Sequence, residues 1–232
     1  MSAMENMRTS LHLLTKTEEQ ENTKMKNTLI ILFLASLSLF GQEKVFFDNF
    51  SGKSLKKEWK ASDGRWRIGP NQKLQQIIGA PNRLGLIRLN IPEMSAVEIQ
   101  AKLSYIGGQN KKDFGAGFQI CVPEKNGSFY ELKFGPVGGK GLSVSRVTVE
   151  EKDGKLRKRY KVLTTCETPI FEREKEYSIQ IRYKDGAVCV SMDGEEILDF
   201  KDDLQPLPGK GTIALFTYGA AAAFDNIVVL KE

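Results

Sequence analysis

From Val97 onward the chain alternates: Val97, Ile99, Ala101 and Leu103 are apolar, and Glu98, Gln100, Lys102 and Ser104 between them are polar. Successive side chains of a strand point to opposite faces, so this pattern predicts a strand buried on one side. The same period recurs downstream. Leu142, Val144, Arg146 and Thr148 oppose Ser143, Ser145, Val147 and Val149, while Tyr177, Ile179, Ile181 and Tyr183 share one face. Shorter strands are predicted over 45–50, 65–68, 73–78, 84–89, 114–122, 128–134, 156–164, 188–192, 196–200, 211–219 and 224–230. Asp-Gly or Asn-Gly at 63, 126, 153, 185 and 193 supplies hairpin turns. Gly115 and Gly117 inside an apolar strand predict a bulge or a close approach by a neighbour. Segments 51–59 and 105–113 read as loops, and no helical period emerges. Roughly a dozen strands with turns every ~8–12 residues predict an all-β fold, a two-sheet antiparallel jelly-roll sandwich.

The amino terminus follows a different pattern. Met25-Lys-Asn-Thr28 is a short basic stretch, Leu29–Phe40 is almost uninterruptedly apolar, and Gly41-Gln42 begins the polar chain. This is the form of a secretory signal peptide, and the apolar run is too short to span a bilayer comfortably. The expected organisation is therefore a lead at 1–24, a signal peptide at 25–41 and one jelly-roll domain at 42–232. The lead reads as a start placed too early, with Met25 as initiator; its rival is an extended basic region. The expected location is periplasmic or extracellular. No later run is long enough for a membrane span.

Charge and composition narrow the chemistry. The 232 residues carry a formal net charge of +5, and residues 1–41 contribute four bases and four acids. The remaining chain keeps the same mild excess of bases, which suits an acidic partner without demanding one. The single histidine, His12, precedes the signal. The expected mature chain has none, which excludes Ser-His-Asp and Cys-His nucleophilic machinery, His-ligated zinc and imidazole bases. Cys121, Cys166 and Cys189 are an odd set with no metal-ligand spacing. An exported chain with three leaves at least one unpaired.

Phe47-Asp48-Asn49-Phe50 near the start and Phe224-Asp225-Asn226-Ile227 near the end share one signature. The two are expected to pair in one sheet and close the fold. Together with Trp59, Gly64-Arg65-Trp66, Tyr177–Tyr183, Val188–Gly194 and Gly209–Leu215, they give a chain that resembles the concanavalin A-like (laminin-G-like) jelly-roll superfamily. Within it the resemblance is to bacterial 3-keto-disaccharide hydrolase and family 16 glycosidase-like secreted domains. It runs from Val45 to Leu230. It implies carbohydrate recognition on a concave sheet and a structural calcium ion near Asp48 and Asp225. Carboxylates are suitable calcium ligands, but the same residues also read as acceptors for backbone N–H groups at strand ends.

The glycosidase strand of the family departs here. Retaining hydrolysis needs two carboxyls about 5–5.5 Å apart, which a period-2 strand supplies. The nearest candidate, Glu195-Glu196-Ile-Leu-Asp199, places Glu196 and Asp199 on opposite faces of a regular strand, so no catalytic residue is assigned. Five rings are available to a sugar: Trp59, Trp66, Tyr105, Tyr130 and Tyr218. The tryptophans read as core plugs. Tyr130 and Glu131 are adjacent, so only one of them faces a groove. Tyr105 and Tyr218 lie beside glycine-rich segments and are expected to be partly exposed. The carbohydrate-binding candidates are thus Tyr105, Tyr130, Glu131 and Tyr218. The basic run Lys155, Arg157, Lys158, Arg159 and Lys161 could bind an acidic glycan or a membrane headgroup; the preferred reading is an edge strand kept soluble by charge and without interleaved aromatics, and export argues against a nucleic-acid partner. The expected function is recognition of a glycan. The alternatives are a glycoside-cleaving enzyme of the 3-keto-disaccharide hydrolase type and a structural or adhesion module.

Overall fold

Turn chemistry sets the hairpins. In the computed structural model Asp153, Asp185 and Asp193 have φ of 55°, 49° and 53°, and each precedes a glycine with positive φ. Aspartate tolerates this left-handed conformation and glycine adopts it freely, so each pair reverses the chain in two residues. The structure describes residues 42–77, 84–107, 114–123, 127–137, 140–168, 171–204, 206–207 and 211–231. The expected lead and signal segments lie outside the described residues. So does Asn126 of the Asn-Gly turn.

The strands follow the alternation read from the sequence. They are β1 (Glu43–Asp48), β2 (Trp59–Asp63), β3 (Trp66–Ile68), β4 (Leu74–Gln76), β5 (Leu84–Met94), β6 (Ala96–Gly107), β7 (Gly115–Val122) and β8 (Ser128–Val137). Then come β9 (Lys140–Lys152), β10 (Lys155–Cys166), β11 (Glu176–Lys184), β12 (Ala187–Met192), β13 (Glu195–Lys201), β14 (Gly211–Tyr218) and β15 (Ala221–Lys231). No helix among the described residues is long and apolar enough to cross a membrane.

Two antiparallel sheets stack on each other. The first runs β13-β12-β11-β6-β15-β4-β3, with β1 also pairing β15; the second runs β10-β9-β8-β7-β14-β5-β2. The two Phe-Asp-Asn ends therefore meet in the first sheet, as the sequence suggested. Their aromatics plug the core: Phe50 and Phe224 are buried, and so is Trp59, which meets Phe46 edge-on at 5.6 Å between ring centroids. Each such side chain contributes about 1.5–3 kcal/mol of burial. Residue 59 opens β2 instead of ending a loop, because its ring is drawn into this cluster.

The alternating faces sort into the core and the two outer surfaces. Phe118, Leu132, Val144 and Leu215 of the second sheet face Ile99, Leu103, Ile181 and Val229 of the first within one apolar cluster. An ion pair is buried with them. Arg146 donates to Asp202 Oδ2, which also accepts from the Tyr130 hydroxyl at 2.8 Å. Arg146 and Tyr130 belong to the second sheet and Asp202 follows β13 of the first, so the network pins one sheet to the other.

Candidate functional site

The sequence-derived candidates separate by depth. Tyr105 lies in β6, where the Val97–Leu103 alternation simply continues, and its partner across the strand is Ala222 of β15. It is fully buried. Its hydroxyl donates to the Phe134 carbonyl and accepts the Ala116 N–H at 2.9 Å. Burial pushes this phenol well above the usual tyrosine range, with the Ala116 bond acting weakly the other way. The expected exposure of Tyr105 is thereby corrected: the residue is a core plug. Tyr130 is also fully buried, donating to Asp202 and accepting the Leu207 N–H at 3.1 Å. Neither ring lies on a surface.

Asp48 and Asp225 do not make a cation site. Asp48 is buried, with Oδ1 accepting the Phe50 N–H at 3.0 Å and Oδ2 the Trp59 indole N–H at 2.9 Å. Asp225 accepts the Asn226 N–H at 2.8 Å. A cation requires oxygen lone pairs that face it, and at Asp48 these face N–H donors. Among the described residues no group of three acidic, histidine or cysteine side chains converges. The residues do not fit the calcium ion that the resemblance implies.

One expectation about carboxylates also changes. The pairing of β12 with β13 shifts register so that Ser191 faces Glu196 and Cys189 faces Asp199, with Ile197 in the bulge. Glu196 and Asp199 consequently share the outer face of the first sheet. Glu196 there accepts from Cys189 Sγ at 3.2 Å. The bulge is a tertiary feature that period-2 counting does not anticipate.

Glu131 and Tyr218 both project from the outer face of the second sheet. Tyr130 and Leu132 point inward, so Glu131 and Lys133 point outward from β8. Gln119 stands opposite Glu131 on β7 and donates its amide to Glu131 Oε2 at 2.9 Å. On β14 Leu215 is in the core, so Phe216 and Tyr218 point outward. Lys133 Nζ lies 5.3 Å from the Tyr218 ring centroid, a cation–π contact worth about 0.5–1 kcal/mol. Gly115 lies opposite Tyr218, and Gly117 opposite Phe216. A Cβ on Gly115 would come within 2.6 Å of Lys133 Cγ, and one on Gly117 would collide with the Leu132 carbonyl oxygen. These glycines keep the floor low, and the close approach anticipated for them is real. A bulge is present too, where β7 takes an extra residue against β14 and Cys121 adopts φ 57°.

Edge strand β10 completes the face. Tyr160 pairs with Val147 and Lys158 with Val149, so both project on the side of Glu131. Tyr160 lies within the basic run that the sequence reading took to lack aromatics. Its phenol is pushed up to about 12, chiefly by burial and then by the charges of Glu131 and Tyr218. Burial also raises the Glu131 carboxyl, against opposing pulls from the Gln119 bond, Lys158 and Lys133. Gln119, Lys133 and Tyr160 were missed as site residues, and Lys158 was singled out only within the basic run. Strand parity relative to Glu131 could have found Lys133; the others depend on which strands become neighbours.

Solved structures with this arrangement are numerous. A carbohydrate-binding module, CBM66 from Bacillus subtilis, superposes with a TM-score of 0.52 at 16% identity, covering 75% of this chain and 96% of its own. Beta-agarase B from Zobellia galactanivorans gives 0.61 at 11% identity, covering 82% and 93%. The fold is the concanavalin A-like jelly roll. The exoplasmic/lumenal domain of VIP36, in its Ca2+/Man3GlcNAc-bound form, matches this jelly roll with a TM-score of 0.54 at 12% identity, covering 82% and 91%. No protein-family model and no curated protein sequence matches the chain. Identities this low establish the jelly roll and nothing finer.

Proposed function

We propose that this jelly roll is an exported carbohydrate-recognition domain that holds a glycan on the outer face of its second sheet, around Glu131, Lys133, Tyr160 and Tyr218. The observation that carries the reading is the Lys133–Tyr218 stack on the outer face, with the buried Gln119–Glu131 amide–carboxylate pair fixed in the sheet beside it. Fixed polar groups next to an aromatic plane suit sugar hydroxyls and the apolar face of a pyranose. Structural neighbours that include a carbohydrate-binding module and the Emp46p carbohydrate recognition domain support the same reading. Export is supported by the basic stretch and apolar run at 25–40.

Binding is favoured over hydrolysis by the distribution of carboxylates. On the outer face of β7, β8, β9, β10 and β14 the acidic side chains among the described residues are Glu131 and Glu151, and Glu151 stands six residues along β9 from Ser145, the partner of Glu131, roughly 20 Å away. That separation exceeds what either two-carboxyl mechanism uses. A glycan microarray with the protein from residue 42 onward tests the proposal. Binding should appear and should be lost in Tyr218→Ala and Glu131→Gln variants that melt like the parent. Silence across the array, or unchanged binding by both variants, would sink it.

A further inference from the structure

Strand β10 has two unlike faces. Its pairing with β9 turns Leu156, Lys158, Tyr160 and Val162 to the side of Glu131, and Arg157, Arg159 and Lys161 to the other side. Leu156, Tyr160 and Val162 are 64%, 54% and 55% exposed, and the remaining exposed large apolar residues among those described are Ile77 and Leu204. Among the described residues three of the five exposed large apolar side chains thus form one stripe, with Lys158 inside it.

Charge divides the same way. On the far side Arg157 meets Asp153 at 3.8 Å and Arg159 meets Glu150 at 3.3 Å, so those cations have acidic partners. Among the described residues no carboxylate lies within ion-pair distance of Lys158. Lys158 and Lys133 both favour the charged form of the buried Glu131 carboxyl. Glu131 is 7% exposed and tied to Gln119, so it offers little negative charge to solvent. Two ammonium groups, Lys158 and Lys133, therefore project from this face with the Tyr160 and Tyr218 rings; of its carboxylates Glu131 is shielded, and Glu151 lies at the end of β9 opposite Leu156.

We infer that the glycan bound here is acidic, its carboxylates or sulfates meeting the ammonium of Lys158 while the tyrosine rings carry the pyranose faces. This rests on the carbohydrate reading above and names its ligand class. A compact ammonium pairs with either anion by charge-assisted hydrogen bonds.

Affinity electrophoresis with matched polysaccharides tests the inference. The probes are polygalacturonate against its methyl ester, and a sulfated galactan against its desulfated form, at about 0.05 M salt where screening is weak. At least one acidic form should bind about tenfold or more tightly than its neutral counterpart. Lys158→Gln should remove most of that preference. Lys161→Gln makes the same change in net charge on the opposite face and should leave the preference in place. Equal binding of the acidic and neutral forms would overturn the inference while leaving carbohydrate recognition standing. An equal loss in both variants would reduce the preference to net charge and would also overturn it. If neither probe pair nor the microarray shows binding, both readings fall.

Discussion

The indole N–H of Trp59 donates to Asp48 Oδ2 at 2.9 Å, joining β1 of the first sheet to the edge strand β2 of the second inside the core. The other oxygen of Asp48 takes the Phe50 N–H, where φ is 51°. Removing this carboxylate strands two buried donors. Asp48→Ala should cost about 3 kcal/mol, seen as a fall in Tm of roughly 6–12 °C. Because these oxygens face N–H groups, millimolar calcium should leave the Tm of the parent unchanged. A calcium-dependent rise in the melting scan would contradict the arrangement.

Tyr130 separates structure from binding. Tyr130→Phe keeps the ring but leaves Asp202 and the Leu207 N–H each short of a partner. The expected cost is about 1–3 kcal/mol in urea unfolding, with no change in glycan affinity. A variant of parental stability that lost affinity would move Tyr130 back to the surface.

Two carboxylates should give opposite pH signatures. Burial raises Glu131 above its ordinary value of 4.5 in the folded state. The folded chain then holds that proton more tightly than the unfolded chain. The contribution is fully present below pH 4.5 and is lost as pH rises through the folded value. Glu131→Gln should flatten this decline. Glu176 differs: burial pushes it up, but bonds from Lys102 and Lys73, both 2.5 Å, outweigh burial and hold it below 4.5. Its contribution is present above pH 4.5 and is lost as pH falls through the lowered value. It is modest, because these side chains are 21–39% exposed and screened. Urea unfolding of parent, Glu131→Gln and Glu176→Gln from pH 3 to 8 checks both slopes.

The last strand is central in space. β15 pairs with β6 and β4, and β1 also pairs with it. Deleting Phe224–Glu232 removes Phe224, Ile227, Val229 and Leu230 from the interior and strips β6 of its β15 partners from Leu103 to Val97. The shortened protein should show no cooperative thermal transition. A cooperative melt near the parent Tm would refute the closure role of this strand.

Local pattern determined much of this protein. Alternation located the strands, and Asp-Gly pairs placed the hairpins, because side-chain direction and turn conformation depend on a few adjacent residues. The shared Phe-Asp-Asn ends foretold that β1 and β15 would meet. The same alternation, followed two residues beyond Leu103, would have put Tyr105 in the core. Other outcomes were decided only by the tertiary structure. A bulge at Ile197 set Glu196 beside Asp199 on one face, and a strand order of β10-β9-β8-β7-β14 brought Lys158 and Tyr160 to the face of Glu131 and Tyr218. Sequence periodicity gives each strand two faces. Which strands become neighbours is settled by burial of the apolar faces of all of them together, and a surface site assembled across five strands exists only after that choice.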